Sequence, residues 1–340
     1  MKLRLSVLDQ SVATAGRGED EALRDTLDLA VFCEAQGYQR FWLSEHHNLP
    51  TIVGSAPEIL MAAIAARTRR IRIGSAGVML PHYSALKVAE QFRVLDALAP
   101  GRIDLGVGRA PGGDMRTAMA LNPYAAQAAD AFPEQVQQLQ AWTRGHRLGG
   151  IAAHPCPPQV QVGPGFERAP EIWVLGSSDY GARLAAHLGL PYAFAYFFMD
   201  GQGVHEALAL YRQLYRPSDR HPLPQATICV WALAADSGDE ARHHASSRER
   251  WRLDRNRGVL GPLQAPEQVA ARGFAPEESA ALAAMRRAAF VGNGAEVADK
   301  LHALADELGL DELVINTWAH DPAVRRRSYA LLAEHMHRQT

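Results

Sequence analysis

The sequence predicts a (β/α)8 TIM barrel, an α/β fold with insertions after its fourth and seventh strands. Eight short apolar runs alternate with segments whose apolar residues recur at helical spacing, and nothing between the runs reads as an antiparallel hairpin. The chain has 340 residues, 47% of them hydrophobic, and such barrels commonly exceed about 250 residues as one domain. A dinucleotide-binding sheet needs Gly-x-Gly-x-x-Gly after an early strand, whereas Gly106-Val107-Gly108-Arg109-Ala110-Pro111 lacks the third glycine. One domain over residues 1–340 is expected.

Leu3, Leu5 and Val7 alternate, so strand one begins almost at once and leaves Asp9-Gln10-Ser11 at its end. Gly16-Arg17-Gly18-Glu19 reads as a mobile connection before a helix over 25–36, ended by Gly37. Strand two covers 41–44. Ser55-Ala56-Pro57-Glu58 has the form of a capping box, opening the helix of Ile59, Leu60, Ala63 and Ile64. Residues 71–80 are an apolar run closed by Pro81, which cannot continue a ladder. Ala85, Val88, Ala89, Phe92 and Leu95 then make a helical stripe stopped by Ala99-Pro100-Gly101. Ile103, Leu105 and Val107 alternate in strand four, which completes a right-handed crossover.

After strand four the rhythm breaks. The first insertion, about 111–168, holds a helix over 133–143 and then irregular chain with Gly149-Gly150 and His154-Pro155-Cys156-Pro157-Pro158. Long irregular segments of this kind serve as lids or binding loops. Strand five, Ile172-Trp173-Val174-Leu175, leads into Gly176-Ser177-Ser178 and a helix ended by Gly189. Strand six is Tyr192-Ala193-Phe194-Ala195, with Tyr196-Phe197-Phe198-Met199 at its end. A helix over 204–215 precedes strand seven, 227–232. The second insertion, about 236–292, carries six arginines between positions 242 and 257. Asn293-Gly294-Ala295-Glu296 is a further capping box, and Val297, Leu301, Leu304 and Leu308 form the helix that Gly309 ends. Leu313-Val314-Ile315-Asn316 is strand eight, and Asp321-Pro322, cap then proline, begins the last helix.

The formal net charge is -2 and the isoelectric point about 6.7, so no global field draws the chain to nucleic acid or anionic lipid. No apolar stretch reaches the roughly 18 residues of a membrane helix, and the first residues lack the apolar core of a secretion signal. A cytoplasmic enzyme with no nucleic-acid or membrane partner is expected. Cys33, Cys156 and Cys229 are widely spaced without a CxxC pair, which reads as reduced core residues rather than a disulfide framework or zinc site.

Barrel function sits at the carboxyl ends of the strands. Those ends display Asp9 and Gln10; Glu45, His46 and His47; Ser75, Ala76 and Gly77; Arg109; Gly176, Ser177 and Ser178; and Trp318 with His320. Strand one offers no histidine to a metal-dependent hydrolase, and no metal site is expected. Asp9 and Glu45 could serve a glycosidase, but the other ends lack a dense acidic and aromatic lining. Gly74-Ser75-Ala76-Gly77 has so little side chain that a flat ligand fits against its backbone. Gly176-Ser177-Ser178 offers hydroxyls and free amides at the positive end of a helix dipole, which suits a phosphate; Ser178 reads equally as an ordinary cap.

Phe41-Trp42-Leu43-Ser44-Glu45-His46-His47, the small-residue strand ending in Leu80-Pro81, and Gly108-Arg109-Ala110-Pro111-Gly112-Gly113 together resemble the bacterial luciferase-like flavin monooxygenases. The resemblance runs over nearly the whole chain and is weakest through the two insertions. It implies a barrel with FMN at its mouth, the phosphate held by Ser177, Ser178 and nearby backbone, with Arg109 also on the flavin. It implies a non-proline cis peptide at Ala76-Gly77, beside Ser75, beneath the isoalloxazine. It further implies His46 at the reactive flavin edge, near-neutral in pKa, as general base or stabiliser of the flavin–oxygen adduct, with Glu45 orienting it or strengthening the site's hydrogen bonding. Gly181 departs from the pattern, which has a hydroxyl residue there, so Tyr180 or backbone takes over that contact. Read without the resemblance, His46 is a structural histidine and Ala76-Gly77 an ordinary trans peptide.

The activity so implied uses reduced FMN and dioxygen to oxidise a small organic substrate, an aldehyde or other carbonyl compound. A separate NAD(P)H-dependent flavin reductase would deliver the reduced flavin, and a homodimer is expected. Three alternatives stand beside it: hydride transfer with deazaflavin F420, a non-catalytic flavin-binding protein, and a hydrolase using Glu45 with a metal at His46 and His47. Strand alternation disfavours the last, since Glu45 and His47 share a face that His46 does not. The arginine-rich run reads as a solvated helix or as a lid that draws anionic flavin or substrate inward. Tyr196, Phe197, Phe198, Met199 and Trp318 read as substrate pocket or as core.

Overall fold

The computed structural model describes residues 3–110, 112–156 and 169–338. Strands buried on both faces read as continuous apolar runs, and the eight runs of the sequence become barrel strands. They are β1 (Arg4–Asp9), β2 (Arg40–Leu43), β3 (Arg72–Met79), β4 (Ile103–Gly108), β5 (Glu171–Gly176), β6 (Tyr192–Phe194), β7 (Ala226–Ala235) and β9 (Glu312–Asn316). All pair in parallel, each with the next, and β9 returns to β1 through Arg4 opposite Glu312, closing the barrel. A ninth strand, β8 (Phe290–Asn293), was not expected from sequence; it extends the pairing of β7 beyond β9, with Ala232 opposite Phe290 and Ala235 opposite Asn293.

Helices α1 (Glu19–Ala35), α2 (Pro57–Arg67), α3 (Ala85–Leu98), α4 (Met115–Leu121), α5 (Ala125–Ala128) and α6 (Phe132–Thr143) follow the first four strands. After β5 come α7 (Asp179–Leu188) and α8 (Val204–Leu214), and the second insertion supplies α9 (Gly238–Asn256), α10 (Pro266–Arg272) and α11 (Ser279–Ala288). Helices α12 (Gly294–Leu308) and α13 (Pro322–Arg338) complete the ring. The main core joins the outward faces of the strands to these helices through side chains such as Phe41, Ile73, Phe92, Leu105, Tyr192 and Leu301. A smaller cluster fills the barrel interior with Leu8, Trp42, Trp173, Ala193, Cys229 and Val314.

Several local expectations change. The 16–19 connection is fixed, because Arg17 bonds Asp25 at 2.6 Å and Glu21 at 3.4 Å, and α1 starts six residues before position 25. Ser55 is not a cap: proline at the first position of α2 puts Ala56 at the boundary, and Glu58 instead accepts from Gln91 at 3.3 Å. The box at α12 does close, with Glu296 N on Asn293 Oδ1 at 3.0 Å and Asn293 N on Glu296 Oε2 at 3.1 Å. Asp321 likewise accepts from Ala323 N at 2.7 Å. Part of the first insertion expected to be irregular is helical in α4 and α5, whereas Pro111, Pro157 and Pro158 lie outside the described residues. Cys33 and Cys229 are buried as expected, but Cys156 is exposed, because it sits in a surface loop after α6. Among the described residues no helix is long and apolar enough to cross a membrane.

The amino end of the barrel is closed by charge. Arg40 reaches Asp104 and Glu171 at 2.9 Å and Glu312 at 3.0 Å. Arg72 pairs with Asp104, Arg4 lies 3.7 Å from Glu312, and Trp42 Nε1 donates to Asp104 at 2.9 Å. Burial alone would lower the Arg40 pKa, but its three carboxylates outweigh burial and raise it. Asp104, which burial would raise, is lowered by Arg40 and Arg72.

Candidate functional site at the barrel mouth

At the opposite end the strands open into a cavity of about 700 Å³, a size typical of ligand sites. Its floor comes from the close approach of β3 and β4. The Ala76–Gly77 peptide is cis, as the resemblance implied, and the β3–β4 register shifts between Ser75 and Val78. A Cβ on Gly77 would lie 2.7 Å from the Gly106 carbonyl oxygen, so the two backbones touch where side chains cannot fit. Ala76 and Gly77 line the cavity; Ser75 does not, since its buried hydroxyl donates to the Gly106 carbonyl at 2.8 Å and stitches the two strands.

One wall is built from β4, β5 and the start of α7. Gly176, Ser177, Ser178, Tyr180, Gly181 and Arg109 all face the cavity. Ser178 occupies the cap position of α7 in extended conformation, yet its side chain makes no cap hydrogen bond, which leaves the hydroxyl for another partner. The Arg109 guanidinium lies over the Tyr180 ring at 3.9 Å, and among the described residues no carboxylate sits within ion-pair distance of it. Tyr180 thus serves as a platform for Arg109. At Gly181 a Cβ would press on the Tyr192 ring at 3.3 Å, so close packing explains the missing side chain.

His46 and Glu45 separate. His46 faces the cavity with Nδ1 3.2 Å from Ser44 Oγ. Burial pushes its pKa down to about 4 against the opposing charge of Glu45, so the imidazole is neutral at ordinary pH rather than poised near neutrality. Glu45 is fully buried behind the wall: Tyr83 OH donates to it at 2.7 Å, Met79 N at 3.1 Å, and His47 Nε2 lies 2.8 Å away. Glu45 therefore orients His47 and the end of β3, not His46, as strand alternation dictates. Burial, reinforced by Glu45, raises the Tyr83 pKa, which keeps the phenol a donor. Asp9 is also structural, paired with Arg325 at 3.0 Å. Among the described residues no three histidine, cysteine or acidic side chains are grouped to hold a metal ion.

The roof is α9, the arginine-rich run that the sequence offered either as a solvated helix or as a lid. Ser237 caps it by accepting from Glu240 N at 3.2 Å. Arg248, Trp251, Arg252 and Arg255 recur at helical spacing and all face the cavity, which the charge-rich composition concealed. Arg252 grips Asp200 through two bonds of 2.9 Å, and Trp251 donates to Thr51 at 2.8 Å while packing edge-on against Trp318 at 4.7 Å. Phe197, Phe198 and Trp318 line the cavity, whereas Tyr196 packs on Phe290. Gln10 accepts from Asn316 at 2.7 Å and Trp318 at 3.0 Å; the Asn316 side-chain oxygen Oδ1 is buried without a hydrogen-bond partner among the described residues.

The family model described as luciferase-like monooxygenase matches residues 1–312. A luciferase-like monooxygenase of Escherichia coli is 38% identical over 329 residues, covering 97% of this chain and 96% of the relative. An N-acetyl-S-alkylcysteine monooxygenase of Bacillus subtilis is 37% identical, covering 98% of each chain. The crystal structure of apo-MsnO8 superposes with a TM-score of 0.90 at 33% identity, covering 98% of both chains. The fold alone is shared with two more distant structures. One is the FMN complex of the oxygenating constituent of 3,6-diketocamphane monooxygenase from Pseudomonas putida, at TM-score 0.71 and 18% identity over 99% and 98% of the chains. The other is an F420-dependent secondary alcohol dehydrogenase, at 0.66 and 12% over 97% and 98%.

Proposed function

Since the chain belongs to the luciferase-like monooxygenase family and is an oxidoreductase, we propose that it works as an FMN-dependent monooxygenase on a small aldehyde or other carbonyl compound. The observation that carries this reading is the anion cradle at α7: an unspent Ser178 hydroxyl, free amides at a helix start, and Arg109 stacked on Tyr180 without an acidic partner among the described residues. Ser177, Ser178 and Arg109 hold the phosphate. Ala76 and Gly77 form the floor for the flat ring system, kept in place by Ser75. Asn316 offers a buried acceptor that an imide N–H satisfies.

Bound and reduced, FMN supplies the electrons that activate dioxygen for oxygen transfer. The protein's own contribution is shielding and proton handling. Trp251, Trp318 and Phe197 keep water out from above. His46, neutral and fixed at Nδ1, leaves Nε2 to accept a proton from the reacting substrate. No nicotinamide fingerprint occurs in the chain, so reduced flavin is supplied by a separate NAD(P)H-dependent reductase.

Titration with FMN, reduced FMN and F420, followed by admission of oxygen with and without an aldehyde panel, tests the reading. Reduced FMN should bind and couple oxygen uptake to substrate oxidation, and His46→Ala should divert that uptake to hydrogen peroxide. Binding of F420 alone would move the enzyme to hydride transfer, and binding of neither would remove the flavin reading.

A further inference from the structure

The flavin reading uses the floor and the α7 wall of the cavity and leaves the roof unexplained. Three guanidinium groups point from α9 toward one space. Arg252 is neutralised by its two bonds to Asp200. Arg255 lies 5.3 Å over the Trp251 ring, and Arg248 lies 4.3 Å over the Trp231 ring. Among the described residues neither has a carboxylate within ion-pair distance. Of the acids near Arg248, Asp200 is held by Arg252 and Glu249 by Arg286 through bonds of 2.9 and 2.8 Å. Burial, together with the neighbouring Arg252, pulls Arg248 down to about 9. The contrast on the same helix is sharp. Arg250, which faces the protein instead of the cavity, is gripped by Glu278 and also lies 2.9 Å from Asp254.

A stacked, desolvated guanidinium left without an anion on a cavity wall is a recognition group for one. The phosphate cradle does not claim it, because that cradle has its own arginine, Arg109, on its own ring, built from β4 and α7. Resting on the flavin reading of the same cavity, we propose that the substrate is a small organic acid whose carboxylate docks bidentately on Arg248 above Trp231. Arg255 adds a second positive charge beside it. The Arg252–Asp200 clamp fixes the helix so that Arg248 keeps its place. The aromatic groups Trp251, Trp318 and Phe197 then hold the carbon frame of that acid, with its oxidisable carbonyl turned toward the floor.

The test is calorimetric binding of matched probes to FMN-loaded protein: 4-formylbenzoate against 4-methylbenzaldehyde, 6-oxohexanoate against hexanal, and benzoate against benzyl alcohol. At least one acid should bind about tenfold or more tighter than its neutral partner. Arg248→Met should erase that preference while leaving FMN affinity and melting temperature unchanged. Arg248→Lys should retain part of it, and Arg242→Met, on the exposed first turns of α9, should retain all of it. No preference in any pair, or a preference that survives Arg248→Met, overturns the proposal. So does a parallel loss of FMN affinity, which would assign Arg248 to the flavin. If FMN fails to bind while the acid preference persists and needs Arg248, the flavin reading falls and the carboxylate site stands.

Discussion

The two ends of the barrel use arginine in opposite ways. At the amino end Arg40 is surrounded by Asp104, Glu171 and Glu312, and Arg72 and Arg4 each have an acid within reach. At the carboxyl end Arg109 and Arg248 lie on aromatic rings and face an open cavity without an acidic partner among the described residues. Both arrangements cost desolvation, but only the first recovers that cost within the folded chain. On the functions proposed above, the second recovers it when a ligand arrives. Arg40 and Arg72 thus serve structure, whereas on the functions proposed above Arg109 and Arg248 serve binding.

The largest effect should come from opening the closed end. Asp104→Ala takes one acid from both Arg40 and Arg72 and the acceptor from Trp42, and should lower unfolding free energy by about 3–5 kcal/mol, read by urea denaturation, with no specific effect on FMN affinity in the folded fraction. The mirror change is Arg109→Met. It should weaken FMN binding by about 1.5–3 kcal/mol, the range of a charged hydrogen bond, while stability moves by no more than about 0.5 kcal/mol. If Arg109→Met unfolds the protein instead, the contrast between the ends is lost.

Between the ends lies the floor. Gly77→Ala forces a methyl against the Gly106 carbonyl and should cost about 1–3 kcal/mol of stability, with flavin affinity falling alongside. The effect of His46 protonation is confined to acid pH and is absent at neutrality. Its folded pKa of about 4 lies below the usual 6.5, so the unfolded chain binds more protons between these values. Its contribution to stability is intact above pH 6.5 and is lost as pH falls toward 4, by at most about 1.4 kcal/mol per pH unit. His46→Gln should flatten that part of the pH–stability curve, and an imidazole NMR titration should show a midpoint near 4.

The barrel strands were legible because both faces of a parallel strand are buried and leave unbroken apolar runs. Strand β8 escaped because Phe290-Val291-Gly292-Asn293 is too short and mixed to show a period. Ser55 misled because a proline two positions on moves the start of the helix. At the site, the strand-end residues were readable one by one, and Gly176 to Ser178, Ala76, Gly77 and Arg109 do converge. Partnerships across the fold were not readable. The resemblance tied Glu45 to His46, whereas Tyr83 and Met79 claim it from β3 and the turn beyond. Arg248 hid within a charge run whose helical spacing was visible but whose neighbour, Trp231, comes from another element.

The most direct test of the account compares FMN with riboflavin, which differ only in the phosphate, by calorimetric titration of the wild-type chain and of a Ser178→Ala, Arg109→Met double variant. The account predicts that FMN binds the wild type at least about tenfold tighter than riboflavin and that this preference falls in the double variant to what Ser177 and the amides of α7 retain. Equal affinities in the wild type, or a phosphate preference undiminished by both substitutions, would contradict it.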